Sequence, residues 1–263
     1  MRNSNDLSGK TIVFTGSASG IGAGTAQHLK ELGAQVIGAD INTSTSVDDS
    51  FHLDLSVKSS IDEFIEKLPN QIDGLANVAG LPPTAPPEQV IKVNLVGPMY
   101  LTHQLISRLK DGSAIVNVSS IAASRWHESV DQIKDACDLD FDTAGDFVEK
   151  YQISELPGRA YFLTKEALLV WTLRQRKAWL DRNIRMNCVS PGAVSTPLFD
   201  GFAEVFGDRA KEDIGIVERH GAPEDIAPVI AFLLSEASHW LRGTNIHADG
   251  GVASHYLAEE YGL

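Results

Sequence analysis

Tyr161 and Lys165 are the residues whose types and spacing most directly indicate chemistry. They stand four residues apart in a stretch patterned as a helix, which places both side chains on one helical face. A free tyrosine has a pKa of about 10, and a neighbouring ammonium lowers that pKa because it favours the phenolate. Such a tyrosine can accept a proton from an alcohol. The same spacing also occurs by chance, with a packed tyrosine and a solvated lysine, so the pair needs support from other motifs.

A glycine-rich turn near the start of the chain indicates a site for a dinucleotide. Residues 11–22 run from a β-branched stretch into a helix expected to begin near Ile21. Backbone N–H groups in such a turn can approach a pyrophosphate, whose charge then lies at the positive end of the helix. The residues expected to contact the cofactor here are Gly16, Ser17, Ser19, Gly20, Ile21 and Gly22.

Asp40 closes the next predicted strand, 24 residues after Gly16, where the adenosine ribose of a dinucleotide lies. Its carboxylate can accept hydrogen bonds from both ribose hydroxyls and repels a 2′-phosphate. Neither Ser17 nor Ile41 supplies a cation for that phosphate. The pattern predicts NAD rather than NADP, although an aspartate can also simply end a strand.

Polar and small residues follow two further predicted strands. Asn77, Ala79 and Gly80 follow one of them, and Ser120 follows another. Because ligands of open α/β sheets bind outside the carboxyl ends of the strands, we expect these residues to meet the cofactor or the substrate. Ser119 competes with Ser120 for this role, but strand alternation favours an inward direction for Ser119.

Taken together, these motifs resemble the classical short-chain dehydrogenase/reductase family over nearly the whole chain. The resemblance rests on the glycine turn, residues 77–80, Asn94, Ser120, the Tyr161 and Lys165 pair, and residues 191–192. It implies that Ser120 binds the substrate oxygen, that Lys165 binds the ribose and tunes Tyr161, and that Asn94 holds a water in a proton relay. The positive nicotinamide ring is a second influence that lowers the pKa of Tyr161. Tyr161 and Lys165 therefore count as both catalytic and cofactor-binding residues.

The resemblance also implies further cofactor contacts. Asp54 and Leu55 flank the adenine, and Gly80 approaches the cofactor closely. The loop after a later strand contacts the nicotinamide side through Pro191, Gly192, Val194 and Thr196. Residues 198–213 correspond to a commonly mobile part of the substrate cover in this family. Residues 249–251 are expected to be structural.

These residues need a scaffold, and the chain shows the rhythm of one. Apolar β-rich runs alternate with helix-length amphipathic segments, which is typical of a parallel sheet covered by helices on both faces. The pattern predicts a Rossmann-type doubly wound α/β fold that forms a single domain over residues 1–263. The predicted strands are residues 10–15, 35–40, 73–78, 113–119 and 184–190.

Residues 124–158 interrupt this rhythm as an acidic insertion between Ser120 and Tyr161. They hold nine acidic side chains against three basic ones. The stretches 130–139 and 141–151 are amphipathic and predict short helices. The segment is either a solvated surface excursion or a lid over the active site, and its position beside Tyr161 favours the lid.

Charge and cysteine content exclude several other functions. The formal net charge is −13, which repels phosphate backbones and anionic membrane surfaces, so neither nucleic acid nor lipid is an expected partner. Cys137 and Cys188 lie far apart and the histidines are scattered, so we predict neither a disulfide nor a metal. No signal peptide or membrane span is visible at the N-terminus, and a cytoplasmic location is expected.

The substrate is less well defined by the sequence. The long acidic insertion resembles a subgroup that contains coniferyl-alcohol dehydrogenases and 3α-hydroxysteroid dehydrogenase/carbonyl reductases, and residues 77–82, 165–171, 185–188 and 249–254 look closest to the coniferyl-alcohol type. A neutral alcohol with an apolar body is expected, and an acidic carrier protein is disfavoured by like charge. Candidate pocket residues are Leu81, Trp126, Leu198 and Phe199, although Trp126 could equally pack the insertion.

Two broader alternatives stay open. The fold could serve a non-catalytic NAD-binding regulator, since fold alone does not prove function. The complete set of Asn94, Ser120, Tyr161 and Lys165 favours an enzyme instead. By resemblance the chain forms a homodimer or homotetramer, unless the insertion blocks the helical contact that family members use.

Overall fold

The five central strands form from short runs of β-branched and aliphatic residues that are buried on both faces, whereas the two edge strands are more exposed. We describe them from a computed structural model that covers residues 5–263, with side chains for all of these except residues 200, 203, 206, 208–211, 213 and 214. The strands are β1 (Thr11–Thr15), β2 (Gln35–Asp40), β3 (Asp49–His52), β4 (Ile72–Asn77), β5 (Leu109–Val118), β6 (Arg185–Pro191) and β7 (Asn245–Ala248).

Helices connect successive strands and cover the sheet. They are α1 (Gly20–Glu31), α2 (Lys58–Lys67), α3 (Pro87–Ile91), α4 (Gly97–Leu105), α5 (Val130–Ala136), α6 (Ala144–Lys150), α7 (Arg159–Arg174), α8 (Pro197–Val217), α9 (Pro223–Leu234) and α10 (Val252–Glu260). A π-helical turn, Lys92–Val96, joins α3 to α4.

The sheet has the order β3-β2-β1-β4-β5-β6-β7, and every neighbouring pair is parallel. The chain moves outward in one direction from β1 to β3 and then returns to the other side of β1 with β4. This reversal opens a crevice at the carboxyl ends of β1 and β4, where such folds bind their ligands. The predicted Rossmann-type doubly wound fold is confirmed. The five strands predicted from the sequence are present, and β5 begins four residues earlier than expected, at Leu109.

Strand alternation divides the core into two layers. On β1, Val13 belongs to one hydrophobic cluster, whereas Ile12 and Phe14 belong to the other. The first layer contains Phe64 of α2 and Tyr161 of α7, and the second contains residues of α1 and α9. Successive side chains of one strand therefore bury against helices on opposite faces.

Residues 124–158 form short helices with apolar faces, as their pattern predicts. Helix α5 packs against α7, and α6 packs against α3. Ile133, Phe147 and Ile153 are buried in the same hydrophobic layer as Tyr161, and Phe141 meets the α4 ring of Tyr100 edge-on at 5.7 Å between centroids. The insertion is therefore a packed part of the helical layer.

A largely buried arginine at the start of α7 joins this helix to the insertion. Arg159, the first residue of α7, places Nη1 3.0 Å from Oε2 of Glu166, and both side chains are largely buried. Nη2 of the same guanidinium donates to Oγ of Ser129 and to Oε1 of Gln132, both in the insertion. One arginine thus satisfies a buried carboxylate and holds the two segments together.

We expect Arg159→Met to destabilise the fold by about 3–5 kcal/mol, because it leaves the carboxylate of Glu166 buried without its cation. Urea unfolding at fixed protein concentration measures the change. The matched control is Arg125→Met, which removes an exposed arginine paired with Glu128 in the same insertion and should cost less than about 1 kcal/mol. Equal losses in the two variants would contradict the structural role of the buried pair.

Candidate active site

A groove of about 410 Å³ runs along the carboxyl edge of the sheet between β1, β2 and β4. Most of the residues predicted to bind the cofactor line it: Gly16, Ser19, Gly20, Ile21, Gly22, Asp40, Asp54, Leu55, Ala79, Gly80 and Thr196. None of the described residues that line the groove is a lysine or an arginine, and none comes from the insertion. The insertion packs against α3, α4 and α7, and a lid over the substrate stays a prediction.

The glycine turn has the geometry of a phosphate cradle. Gly16 has φ of +76°, and a Cβ atom built on it would lie 2.6 Å from the backbone nitrogen of Ala79. A Cβ on Gly22 would lie 1.7 Å from the carbonyl oxygen of Gly16. Helix α1 begins immediately after Ser19, whose side chain caps none of its amides. The first N–H groups of α1 are thus available to an anion such as a diphosphate, so the residues fit a dinucleotide.

Asp40 lies at the far end of the groove, at the end of β2. One of its carboxylate oxygens accepts from the N–H of Ala18 at 3.1 Å, and the other accepts from the N–H of Asn42 at 2.9 Å. These bonds fix the carboxylate beside the glycine turn. Asp54 stands on the same side, and its Oδ1 accepts from the N–H and the hydroxyl of Ser56.

Ser17 differs from its predicted role. Its side chain is fully buried and its Oγ has no hydrogen-bond partner among the described residues. A Cβ built on Gly38 would lie 2.6 Å from this oxygen, which places the side chain against β2 and outside the groove lining. The side chain of Ser17 therefore packs the glycine turn onto the sheet.

Asn77 also differs from its prediction as a cofactor-binding residue. Its buried amide nitrogen donates to Oγ1 of Thr102 at 3.0 Å and to Oδ1 of Asn117 at 2.8 Å. Asn117 in turn donates to Oγ1 of Thr172 on α7. This chain of hydrogen bonds links β4, β5, α4 and α7 below the groove, so Asn77 supports the site from within the core.

Asn94 lies on the π-helical turn and is buried. Its Oδ1 accepts from the N–H of Leu81 at 2.7 Å, and its Nδ2 donates to the carbonyl of Leu81 at 3.1 Å. The side chain therefore holds the loop after β4 and is occupied by that contact. The backbone carbonyl of Asn94 can accept a hydrogen bond from a water. Pro98, four residues later, has no N–H to donate to it.

Tyr161, Ser120 and Lys165 come together beside the groove. Ser120 faces the Tyr161 hydroxyl closely enough to influence its pKa, and Nζ of Lys165 lies 5.6 Å from the centroid of the Tyr161 ring. Nζ donates to the carbonyl of Val118 at 2.9 Å. A Cβ atom built on Gly80 would lie 3.7 Å from Nζ of Lys165, so Tyr161 and Lys165 lie next to the groove. Ser119 points inward, where its Oγ donates to the carbonyl of Lys165 at 2.7 Å.

Burial moves the pKa values of both members of this pair. It raises the pKa of Tyr161 above its usual range, and the hydrogen bond with Ser120 opposes this only in part. It lowers the pKa of the Lys165 ammonium to about 8. In the chain by itself, desolvation of the phenolate outweighs the neighbouring groups, and the lowering of the Tyr161 pKa with the oxidised cofactor bound stays a prediction.

The loop after β6 lies across the groove from Gly80. Thr196 lines the groove, and its Oγ1 donates to the carbonyl of Val194 at 3.3 Å. Val194 is buried and pairs with Gly221 in an isolated β-bridge. Pro191 and Gly192 precede this loop, and Gly192 donates its N–H to the carbonyl of Ala248 on β7. These two residues shape the loop outside the groove lining.

Only two of the four residues predicted for the substrate pocket line the groove. Leu81 and Leu198 line the groove. Phe199 instead contacts the ring of His220, with 4.5 Å between centroids, and Trp126 packs half-buried against the hydrophobic core. Neither of these two side chains is part of the groove lining, and their place in a substrate pocket stays a prediction. Sequence reasoning missed Phe202, whose ring meets that of Tyr161 edge-on at 4.6 Å between centroids.

A simple signal could have identified Phe202. It follows Leu198 by four residues, so it shares the helical face of the residue already assigned to the pocket. Residues 198–213, predicted as part of the substrate cover, lie within α8. Asp213 and several other residues of this range have side chains outside the described part of the structure.

Two further features bear on the class of protein. Within the described residues, no group of three or more His, Cys, Asp or Glu side chains is arranged to hold a metal ion. A search of the same residues finds no helix with the length and apolar character needed to span a bilayer.

Comparison with known proteins agrees with this site. Residues 10–130 match the family model described as short chain dehydrogenase, and residues 149–253 match one described as Enoyl-(Acyl carrier protein) reductase. The chain is 40% identical to the coniferyl-alcohol dehydrogenase of Pseudomonas sp. strain HR199, covering 95% of this chain and 99% of that protein. It is 32% identical to the 3-alpha-hydroxysteroid dehydrogenase/carbonyl reductase of Comamonas testosteroni, covering 92% and 95%.

Among solved structures, the fold is similar to that of the 3-alpha-hydroxysteroid dehydrogenase from Pseudomonas sp. B-0831 in complex with NADH. The TM-score is 0.84 at 29% identity, and the match covers 95% of this chain and 99% of that one. The levodione reductase structure has the same fold, with a TM-score of 0.75 at 22% identity over 95% and 99% of the two chains.

The burial of Lys165 predicts a specific dependence of stability on pH. The pKa of Lys165 is about 8 in the folded chain against an ordinary 10.5, so the unfolded chain binds more protons between these values. Stability from this group therefore rises with pH over that window. We expect the free energy of unfolding of the wild type, relative to Lys165→Met, to increase by about 3 kcal/mol from pH 8 to 10.5.

The measurement is urea unfolding at several pH values. Lys134→Met is the control, because the Lys134 side chain is 67% exposed and the wild type should show no comparable pH dependence relative to it. A difference between wild type and Lys165→Met that stays flat or falls with pH would mean that Lys165 is not desolvated.

Proposed function

The chain belongs to the classical short-chain dehydrogenase/reductase family, and from that premise we propose that it is an NAD-dependent alcohol dehydrogenase for neutral aryl allylic alcohols of the coniferyl-alcohol type. Oxidoreduction of CH–OH groups follows from the family. The observation that carries the proposal is that Ser120 and Lys165 flank Tyr161 beside a groove whose other end holds Asp40.

The chain's own residues hold the dinucleotide along the groove. The glycine turn and the first N–H groups of α1 bind the diphosphate, and Asp40 accepts from the adenosine ribose hydroxyls. Asp54 and Leu55 flank the adenine, while Val194 and Thr196 hold the carboxamide from the loop after β6. When bound, NAD supplies a hydride acceptor and a positive ring.

Proton transfer takes place at the hydroxyl of Tyr161. Ser120 binds the substrate oxygen, and Tyr161 takes the alcohol proton as the carbon loses hydride. Because burial raises the pKa of Tyr161, the phenolate depends on positive charge at the site, from the ammonium of Lys165 and the oxidised cofactor. The backbone carbonyl of Asn94 holds the water that passes the proton to solvent.

Several observations support the choice of substrate. The relative with 40% identity over nearly the whole chain is a coniferyl-alcohol dehydrogenase. Leu81 and Leu198 give the groove an apolar side, and the net charge of −13 opposes anionic substrates, including acidic carrier proteins. The alternative substrate class is a 3α-hydroxysteroid, favoured by the similarity to 3α-hydroxysteroid dehydrogenases in sequence and fold.

We also propose a domain organisation and an oligomeric state for the chain, and we name a competing function. Residues 1–263 form one catalytic domain that carries the insertion 124–158 and associates as a homodimer or homotetramer. The competing function is an NAD-binding regulator without turnover. The placement of Ser120 and Lys165 beside Tyr161 favours the enzyme.

Asp40 makes cofactor choice testable. We expect the wild type to prefer NAD over NADP in kcat/KM, and Asp40→Ala to lower kcat/KM for NAD by roughly 10- to 100-fold, since it removes hydrogen bonds to a charged acceptor. The control is Asp49→Ala, an exposed aspartate on the neighbouring strand β3, which should leave the preference unchanged. A wild-type preference for NADP would refute the role of Asp40.

Turnover itself is tested by following NAD reduction with coniferyl alcohol, cinnamyl alcohol, a 3α-hydroxysteroid and cyclohexanol. We expect aryl allylic alcohols to give the highest kcat/KM, and Tyr161→Phe to lower kcat by at least about 100-fold, because it removes the proton acceptor. Tyr151→Phe, which removes a hydroxyl bound to Asp135 in the insertion, is the control and should keep its activity. NAD binding without turnover of any substrate would favour the regulator.

A further inference from the structure

Helix α8 presents one of its faces to the active site. Leu198 lines the groove, and Phe202, one turn later, meets the Tyr161 ring at 4.6 Å with an interplanar angle of 88°. Phe199 lies on a different face and contacts His220. The aromatic residue of α8 at the reacting centre is therefore Phe202.

Phe202 stands where a substrate must pass. Tyr161 is only 5% exposed, yet its hydroxyl has to contact the alcohol to take its proton. Phe202 is half-buried and packs onto the same hydrophobic layer as Tyr161. The part of a substrate that extends from the reacting carbon over the Tyr161 ring therefore meets Phe202.

The loop after β4 packs closely against α8 at Gly201, the residue before Phe202. A Cβ atom built on the preceding residue, Gly201, would lie 2.8 Å from Cβ of Pro82 and 3.0 Å from Oγ1 of Thr84. Only a residue without a side chain allows α8 to approach the loop after β4 this closely. The contact between Phe202 and Tyr161 is thus part of a packed wall that joins α8, this loop and α7.

We propose that Phe202 is a specificity-determining residue that selects an aromatic ring on the substrate, an inference that rests on the proposed function. The aryl group of an aryl allylic alcohol, which a C=C bond separates from the reacting carbon, replaces the edge-to-face contact that Phe202 makes with Tyr161 by aromatic contacts of its own. A saturated ring of similar size offers apolar area without this electrostatic complementarity. Removing the aromatic ring at position 202 therefore penalises aryl alcohols selectively.

The test compares kcat/KM for cinnamyl alcohol and cyclohexanol in the wild type, Phe202→Leu and Phe202→Tyr. We expect Phe202→Leu to lower the value for cinnamyl alcohol by about 3- to 10-fold, the range contributed by one aromatic pair, and that for cyclohexanol by less than about 2-fold. Phe202→Tyr keeps the ring and should keep the wild-type ratio of the two values within about 2-fold.

Phe199→Leu is the matched control, since it makes the same change on the face of α8 that contacts His220, and it should leave the ratio unaltered. Thermal denaturation confirms that each variant is folded. Equal losses on the two alcohols, or none on either, would overturn the inference while leaving the alcohol dehydrogenase intact.

A wild type that oxidises neither alcohol refutes the proposed function instead. Equilibrium binding of cinnamyl alcohol to the NAD-loaded protein then decides the role of Phe202. Weaker binding to Phe202→Leu than to the wild type supports the inference, and unchanged binding overturns it.

Discussion

Two hydrogen bonds between the end of β5 and a single residue of α7 fix the position of Tyr161 relative to Ser120. Nζ of Lys165 donates to the carbonyl of Val118, and the carbonyl of Lys165 accepts from Oγ of Ser119. Because the ammonium is buried, it needs a partner, and the strand end supplies it. The two bonds fix how far α7 lies along β5, and this register brings Tyr161, one turn before Lys165, to Ser120.

A polar chain inside the core maintains the same register from below. Asn77 on β4, Asn117 on β5 and Thr172 on α7 are linked by hydrogen bonds, and all three are buried. These two hydrogen bonds hold the three side chains in place, because a buried group that loses its partner is left with an uncompensated desolvation cost. The site is thus held by polar contacts on α7 at both Lys165 and Thr172, within layers that are otherwise apolar.

The sequence predicted those parts of the molecule that depend on local pattern. Apolar runs identified the central strands, and the glycine turn with Asp40 located the groove, because backbone approach and strand ends follow from a few neighbouring residues. The sequence does not decide between two possible directions of a side chain. Ser17 and Asn77 turn into the core, and Phe199 turns to His220 while Phe202 takes the place at Tyr161. Those choices depend on partners distant in sequence, which a motif does not contain.

The acidic composition of the insertion likewise does not reveal where its charges lie in the fold. Each of its three basic residues pairs with an acid of the insertion itself, in the pairs Arg125–Glu128, Lys134–Asp131 and Lys150–Asp135. The remaining acids act on a substrate only through solvent, where screening limits exposed charges to about 8 Å at physiological salt. The insertion contributes none of the described residues of the groove lining. Its helices instead pack against α3 and α7.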